Sequence, residues 1–280
     1  DTARSRGLGD VYKRQGFNHL GRLGRFGNQM FQYAALRGIA ANNQTNFCLP
    51  IYRDAMNDGV GNMNKTELFD CFKMETVSEL NIQAIDYSRP FVTEESFNFN
   101  PVVFNNCPDW ITLYGFFQTE KYFKNVEQTI RKDFQFKDEI QQPCDDMMQG
   151  ILEEGQVVGL HIRRKDYLTN PNHHFVGIDY YEKALSMFPD STNVLVFSDD
   201  SEWCHQQKLF EDDRFMISDN DSGYVDMCLM SMCTDFIIAN SSFSWWAAWL
   251  GNKGKVVAPS NWFPDDKDTS DLYCPDWEVI

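Results

Sequence analysis

The second half of the chain alternates short apolar runs with helical stretches, and this alternation limits the fold more than any other feature. The apolar runs occupy residues 157–162, 194–197, 215–217, 236–239 and 255–258, and the helical stretches occupy 180–188, 202–210, 223–233 and 243–250. Runs this short and this apolar read as strands buried on both faces. Parallel strands need crossover connections, which are right-handed, so the expected product is a Rossmann-like α/β sheet. Ligands of such sheets collect at the carboxyl ends of the strands, which is where chemistry is to be sought.

The first half is less regular. Residues 28–41 read as a helix with Phe31, Ala34, Ala35 and Gly38 on one face, 54–64 as a loop, 111–117 as a strand and 120–134 as a helix. The polar stretch 137–149, which contains Pro143, reads as a domain boundary. It divides an N-terminal domain, 16–150, from a C-terminal one, 151–280. Residues 1–15 carry Arg4, Arg6, Lys13 and Arg14 but neither a signal-peptide core nor any period, and read as a non-native or disordered tail.

A formal net charge of −16 argues against nucleic acid as a partner, because binding a phosphate backbone needs a basic footprint. It does not exclude a small anion, provided positive charge is concentrated locally. No apolar run approaches the roughly 20 residues of a membrane span. The eight cysteines are scattered without C-x-x-C or zinc spacing, and are expected as reduced, partly buried thiols.

Local positive charge occurs at the end of the 157–162 strand, in His161-Ile162-Arg163-Arg164-Lys165-Asp166-Tyr167. Strand side chains alternate, so His161 and Arg163 share a face. Arg163 is the first candidate for a phosphate ligand, since its planar fork suits two oxygens at once. Arg164 is the second, or else pairs with Asp166 and holds the loop. A second anion site is expected where the 236–239 strand runs into Asn240, Ser241, Ser242 and Phe243, because a helix start offers free N–H groups and a dipole. Asn240 or Ser241 can also be the N-cap there. At a third strand end, Asp199 or Asp200 can receive a guanine edge or ribose hydroxyls, or cap the helix that begins near Ser201.

The loop Gly21-x-x-Gly24-x-x-Gly27, followed by Asn28 and Gln29, lets backbone approach a ligand closely. It lacks the dinucleotide spacing, and no acid follows Gly27 by about 20 residues, so a nicotinamide cofactor is a weak reading. Two D-x-D triplets, 219–221 and 266–268, are expected by chance among 41 acidic residues and read as solvated loops, not as a metal site. Trp245, Trp246 and Trp249 fall at helical spacing and read as packing.

Four stretches together resemble glycosyltransferase family 11, the alpha-1,2-fucosyltransferases: residues 27–34, the H-x-R-R-x-D-Y form of 161–167, residues 240–246, and 114–123. They stand in the family's order and span nearly everything from Gly16 onward. Arg25-Phe26 departs from a usual Gly-Leu, and Lys165 from a common glycine. The resemblance implies a GT-B-like architecture of two Rossmann-like domains, with GDP-fucose in the C-terminal domain and the acceptor held largely by the N-terminal one. It further implies inverting transfer of L-fucose to a terminal beta-galactoside at O2, with no metal and no other cofactor. On that reading the donor contacts are Arg163, Arg164, Asp199, Asn240, Ser241, Ser242 and Phe243, with Gly27, Asn28 and Gln29. The catalytic group comprises Arg163 with Asp166 or His161 as general base, and a base from the N-terminal half stays open. The alternatives are transfer from another GDP-sugar, or a catalytically inactive sugar-binding protein. The implied setting is bacterial surface polysaccharide synthesis, in the cytoplasm or peripheral to the inner membrane.

Overall fold

The computed structural model describes residues 13–57, 63–153, 155–265 and 267–280. They form two compact units. The first reaches Gln135 and takes in Asp268–Cys274; the second is Phe136–Lys267 with Pro275–Ile280.

In the first unit, β1 (Arg14–Gly16), β2 (Asn46–Cys48), β5 (Phe91–Thr93) and β6 (Ile111–Tyr114) make a parallel sheet in the order β2-β1-β6-β5. A short antiparallel pair, β3 (Met56–Asn57) and β4 (Met63–Asn64), stands apart within the expected 54–64 loop, of which 58–62 lie outside the described residues. Helix α1 (Phe26–Asn42) is buried on nearly every side, not on the single face expected. Close packing explains one glycine in it: a Cβ on Gly38 would lie 1.9 Å from the Tyr122 carbonyl oxygen. Arg37 and Tyr33 of the same helix reach the buried Asp133 at 2.7 and 2.5 Å, and Thr76 donates to it from both backbone and hydroxyl. That carboxylate is fully paired, as a buried charge must be.

The second unit holds β7 (Val157–Ile162), β8 (Asn193–Ser198), β9 (Phe215–Ile217), β10 (Asp235–Ile237), β11 (Val256–Ala258) and β12 (Glu278–Val279). Its helices are α2 (Asp138–Glu153), α3 (Ile178–Leu185), α4 (Ser201–His205), α5 (Gly223–Met232) and α6 (Ser242–Gly251). All six strands are parallel, in the order β12-β11-β10-β7-β8-β9. From β7 the chain proceeds outward through β8 and β9, then returns to β10 on the other flank and proceeds through β11 to β12. The order therefore reverses between β7 and β10. Crevices of open α/β sheets lie at that reversal.

Several expectations change. Arg14 and Gln15 belong to β1, not to a tail, and the buried Gln15 donates to the Cys107 carbonyl at 3.0 Å; residues 1–12 lie outside the described residues. The division falls after Gln135, not at 150, because 137–149 is no linker. It is most of α2, whose Ile140, Cys144 and Met148 form a buried stripe four residues apart. Pro143 sits early in this helix, where the bond it forfeits would go to Glu139 in the first turn. The 120–134 helix is interrupted. Buried Phe123 takes a φ of −135°, which separates two 3-10 turns, Glu120–Tyr122 and Lys124–Val126, ahead of a true helix at Glu127–Asp133. The 111–117 strand stops at Tyr114, since Gly115 and Phe117 have φ of 149° and 55°. All eight cysteines are free thiols, seven of them buried. Among the described residues no helix is long and apolar enough to cross a membrane.

Candidate active site

The strand β7 ends at Ile162, and the chain turns at once into a short 3-10 turn, Asp166–Leu168. This turn sets the pairing. Arg163 Nη2 lies 2.8 Å from Asp166 and its Nε 3.5 Å from Asp199, while Arg164 Nη1 lies 2.5 Å from Asp200. The expected Arg164–Asp166 pair is thus replaced by Arg163–Asp166, because a tight turn brings residues three apart together. Asp199 and Asp200 stand at the end of the neighbouring strand β8. Asp199 also accepts from the Arg164 backbone N–H at 2.8 Å, and Asp200, though at the N-cap of α4, makes no side-chain cap bond. Their carboxylates serve the arginines. The two carboxylates thus meet Arg163 at Nη2 and Nε, and Arg164 lies 4.7 Å above the Trp203 ring.

Across the reversal, β10 runs through Ile238 and Ala239 into the start of α6. Ser241 is the N-cap, and its hydroxyl accepts from Phe243 N–H at 3.4 Å. No acidic side chain occupies the first turn of α6, so its dipole is not neutralised from within. Asn240 donates through Nδ2 to the carbonyls of His174 and Trp262, both at 3.0 Å, which fixes its amide orientation. Its Oδ1 is buried without a partner. Tyr167, from the turn after β7, joins the two sides. Its hydroxyl donates to the Asn240 carbonyl at 3.0 Å, and the Arg163 guanidinium carbon lies 5.5 Å from its ring centre. The His161 and Phe243 rings meet as well, with centroids 5.1 Å apart. The two motifs therefore occupy one place, at the carboxyl ends of β7 and β10.

Electrostatics divide the roles. Burial, reinforced by the Arg163 charge, drives the His161 pKa down to about 3, and its Nδ1 is buried without a partner. A neutral imidazole of this kind is a hydrogen-bonding group; it is a poor base near pH 7. Burial works against the Arg163 charge, but Asp199 and Asp166 more than restore it, and its pKa lies above the ordinary value. Burial pushes the Tyr167 hydroxyl up to about 12, so it remains a donor at any working pH.

Gly27, Asn28 and Gln29 belong to the first unit. Gly27 is buried within α1, Asn28 accepts from Gln118 at 2.7 Å, and Gln29 bonds the Lys65 carbonyl and the Glu67 N–H at 2.8 and 2.9 Å. Asp219, of the first D-x-D triplet, is exposed and lies 3.1 Å from His205; Asp266, of the second, lies outside the described residues. Trp245, Trp246 and Trp249 pack in the core of the second unit. Two residues escaped the sequence reading. Tyr167 was visible only as the last letter of its motif. Glu94, after β5, accepts from the Phe116 and Phe117 N–H groups at 2.7 and 2.8 Å, and burial pushes its pKa up to about 7. No local signal marks it, since its partners come from the segment after β6.

A family model described as Glycosyl transferase family 11 matches residues 10–280. The O-antigen biosynthesis glycosyltransferase WbnK of Escherichia coli is 32% identical over 86% of this chain and 93% of its own length. The alpha-1,2-colitosyltransferase of Escherichia coli is 30% identical over 90% and 94%. The human galactoside alpha-(1,2)-fucosyltransferase 1 is 25% identical over 92% of this chain and 73% of that protein. Among solved structures, NodZ alpha-1,6-fucosyltransferase soaked with GDP-fucose superposes with a TM-score of 0.54 at 12% identity, covering 89% of this chain and 95% of that one. That likeness establishes a shared GT-B-like α/β fold.

Proposed function

The chain belongs to glycosyltransferase family 11, and from that premise we propose that it transfers L-fucose from GDP-fucose to O2 of a terminal beta-galactoside, with inversion and without a metal. One observation carries this reading: Arg163 and the start of α6 converge at the reversal between β7 and β10, joined by Tyr167. In the reaction the acceptor oxygen bonds to the anomeric carbon as the carbon–oxygen bond to GDP breaks. The leaving diphosphate gains negative charge, and the acceptor hydroxyl gives up its proton to a base. Preorganised donors aimed at that charge are the largest lever available to the protein. The Arg163 guanidinium, the Ser242 hydroxyl and the free N–H groups of α6 fill that role. Asp166, held against Arg163 at 2.8 Å, is the base on this reading, and it becomes available when phosphate oxygens take over its hold on Arg163.

The test is fucose transfer from GDP-fucose to a beta-galactoside such as lactose, with and without EDTA. Equal rates are expected. Loss of transfer on chelation would overturn the metal-free reaction, and absence of transfer to every beta-galactoside would overturn the acceptor. The resemblance to an alpha-1,2-colitosyltransferase favours a second donor, GDP-colitose. Assaying it beside GDP-fucose distinguishes the two by kcat/KM.

A further inference from the structure

We propose that Tyr167 is a positioning residue of the diphosphate site, holding the Arg163 guanidinium and the Asn240–Ser242 corner at a fixed separation. The inference rests on the donor reading above.

Three contacts carry it. The hydroxyl donates to the Asn240 carbonyl at 3.0 Å. The ring carries the Arg163 guanidinium 5.5 Å from its centre on the same strand-end turn. The imidazole of His173 stacks on the ring at 4.5 Å with the planes 5° apart, and Phe263 adjoins that imidazole at 6.1 Å. Tyr167 is thus held by flat packing, and it grips one motif by its hydroxyl and the other by its ring.

The arrangement matters because the sheet itself does not fix these two places against each other. The ladder between β7 and β10 ends at Leu160 and Ile237, before either motif begins. Beyond those residues no ladder pair joins the two chain ends, and Tyr167 bridges them beside the His161–Phe243 ring contact. A bidentate cation and a helix start can share one diphosphate only if their spacing is preset, since preorganised donors bind the phosphates without the cost of being ordered. The bond is local to the phosphate side, so it acts on phosphate contacts and not on recognition of the nucleoside.

The experiment uses the whole chain and two variants, Tyr167→Phe and Tyr167→Leu. Binding of GDP and of guanosine is measured by calorimetry, with kcat and KM for GDP-fucose. For Tyr167→Phe the expected result is GDP affinity lower by about fivefold, the effect of losing one hydrogen bond to a partly enclosed carbonyl. Guanosine affinity stays unchanged, KM for the donor rises in step, and kcat stays within about twofold. Tyr167→Leu, which also removes the support under Arg163, should lower kcat as well, by about tenfold. Equal weakening of GDP and guanosine by Tyr167→Phe would mean a merely structural role and would overturn the proposal, as would wild-type GDP affinity in that variant. Should the wild-type chain itself bind GDP no better than guanosine, the donor reading fails first and takes this one with it. The near-isosteric Phe variant decides the matter even if the Leu variant does not fold.

Discussion

The Arg163 guanidinium lies 2.8 Å from the Asp166 carboxylate, three residues ahead on the turn that closes β7. With Asp199 behind it at 3.5 Å, the cation is aimed before any ligand arrives. A lysine has a single point of charge and no fork, so it cannot hold Asp166 and also present a second nitrogen to phosphate. Arg163→Lys should therefore reduce the transfer rate by about 100-fold, the scale of losing one preorganised donor. Its melting temperature should move by only a few degrees. Steady-state kinetics beside a thermal scan make the comparison, and a rate loss matched by unfolding would contradict it.

His161 yields a prediction with a definite sign. Its pKa is about 3 in the folded chain, against 6.5 for an ordinary imidazole. Between those values the unfolded chain binds the extra proton. The contribution to stability is complete above about pH 6.5 and is lost as pH falls through the folded value, with a slope of up to about 1.4 kcal/mol per pH unit. The urea midpoint of the wild type should fall relative to that of His161→Phe as pH is taken from 7 to 4. Parallel curves would mean that the imidazole is not desolvated as described.

Much of this was legible and some was not, for physical reasons. Strands buried on both faces announce themselves as unbroken apolar runs, so β7 to β11 were readable to within a residue or two. Helix α2 was hidden by its own polar majority and by Pro143, although the spacing of Ile140, Cys144 and Met148 held the clue. The motif arginines could be named, but which carboxylate each one meets depends on how sharply the chain turns after Ile162. Local sequence does not encode that. Glu94 was invisible because its partners, the amides of Phe116 and Phe117, are supplied by tertiary structure.

Those two amides make Glu94 a clamp on the segment after β6, where Phe117 sits at a φ of 55°, a conformation that favours glycine. A carboxyl group, ionised or not, can accept both N–H groups, one on each oxygen. An amide side chain can accept only one, and it turns its own NH₂ toward the other. Glu94→Gln should cost about 1–3 kcal/mol of stability, measured by chemical denaturation. The folded pKa near 7 is raised from 4.5, so the wild-type contribution is complete below about 4.5 and fades as pH rises through 7. The Gln variant should lack that slope.

Gly38 tests the packing of α1. A methyl group there would lie 1.9 Å from the Tyr122 carbonyl oxygen and 2.7 Å from the Phe123 Cα, both backbone atoms that cannot swing aside. Gly38→Ala gains helix propensity of about 1 kcal/mol, but overpacking of this severity costs about 3 kcal/mol or more. The net expectation is a clear loss, seen as a lower denaturation midpoint or as insoluble expression. A neutral or stabilised variant would show that α1 does not approach the Tyr122–Phe123 backbone as closely as described.

Asn240 permits a sharper test of the β10 corner, because its two obvious replacements fail in different ways. Its Nδ2 donates to the carbonyls of His174 and Trp262, and the side chain is almost wholly buried. Asn240→Ala leaves both carbonyls without that donor and should cost about 1–3 kcal/mol. Asn240→Asp is closer in shape but worse in chemistry. It turns a charged oxygen toward two carbonyl oxygens, with no cation bonded to it, and an uncompensated buried charge of this kind costs about 3–5 kcal/mol. The Asp variant should regain stability as pH is lowered, because protonation of the buried carboxyl restores a donor to one of the two carbonyls. The Ala variant should show no such recovery. If the Asp variant proves as stable as wild type at pH 8, the two carbonyls cannot both be facing the side chain. The corner would then not be the rigid one required to hold a diphosphate.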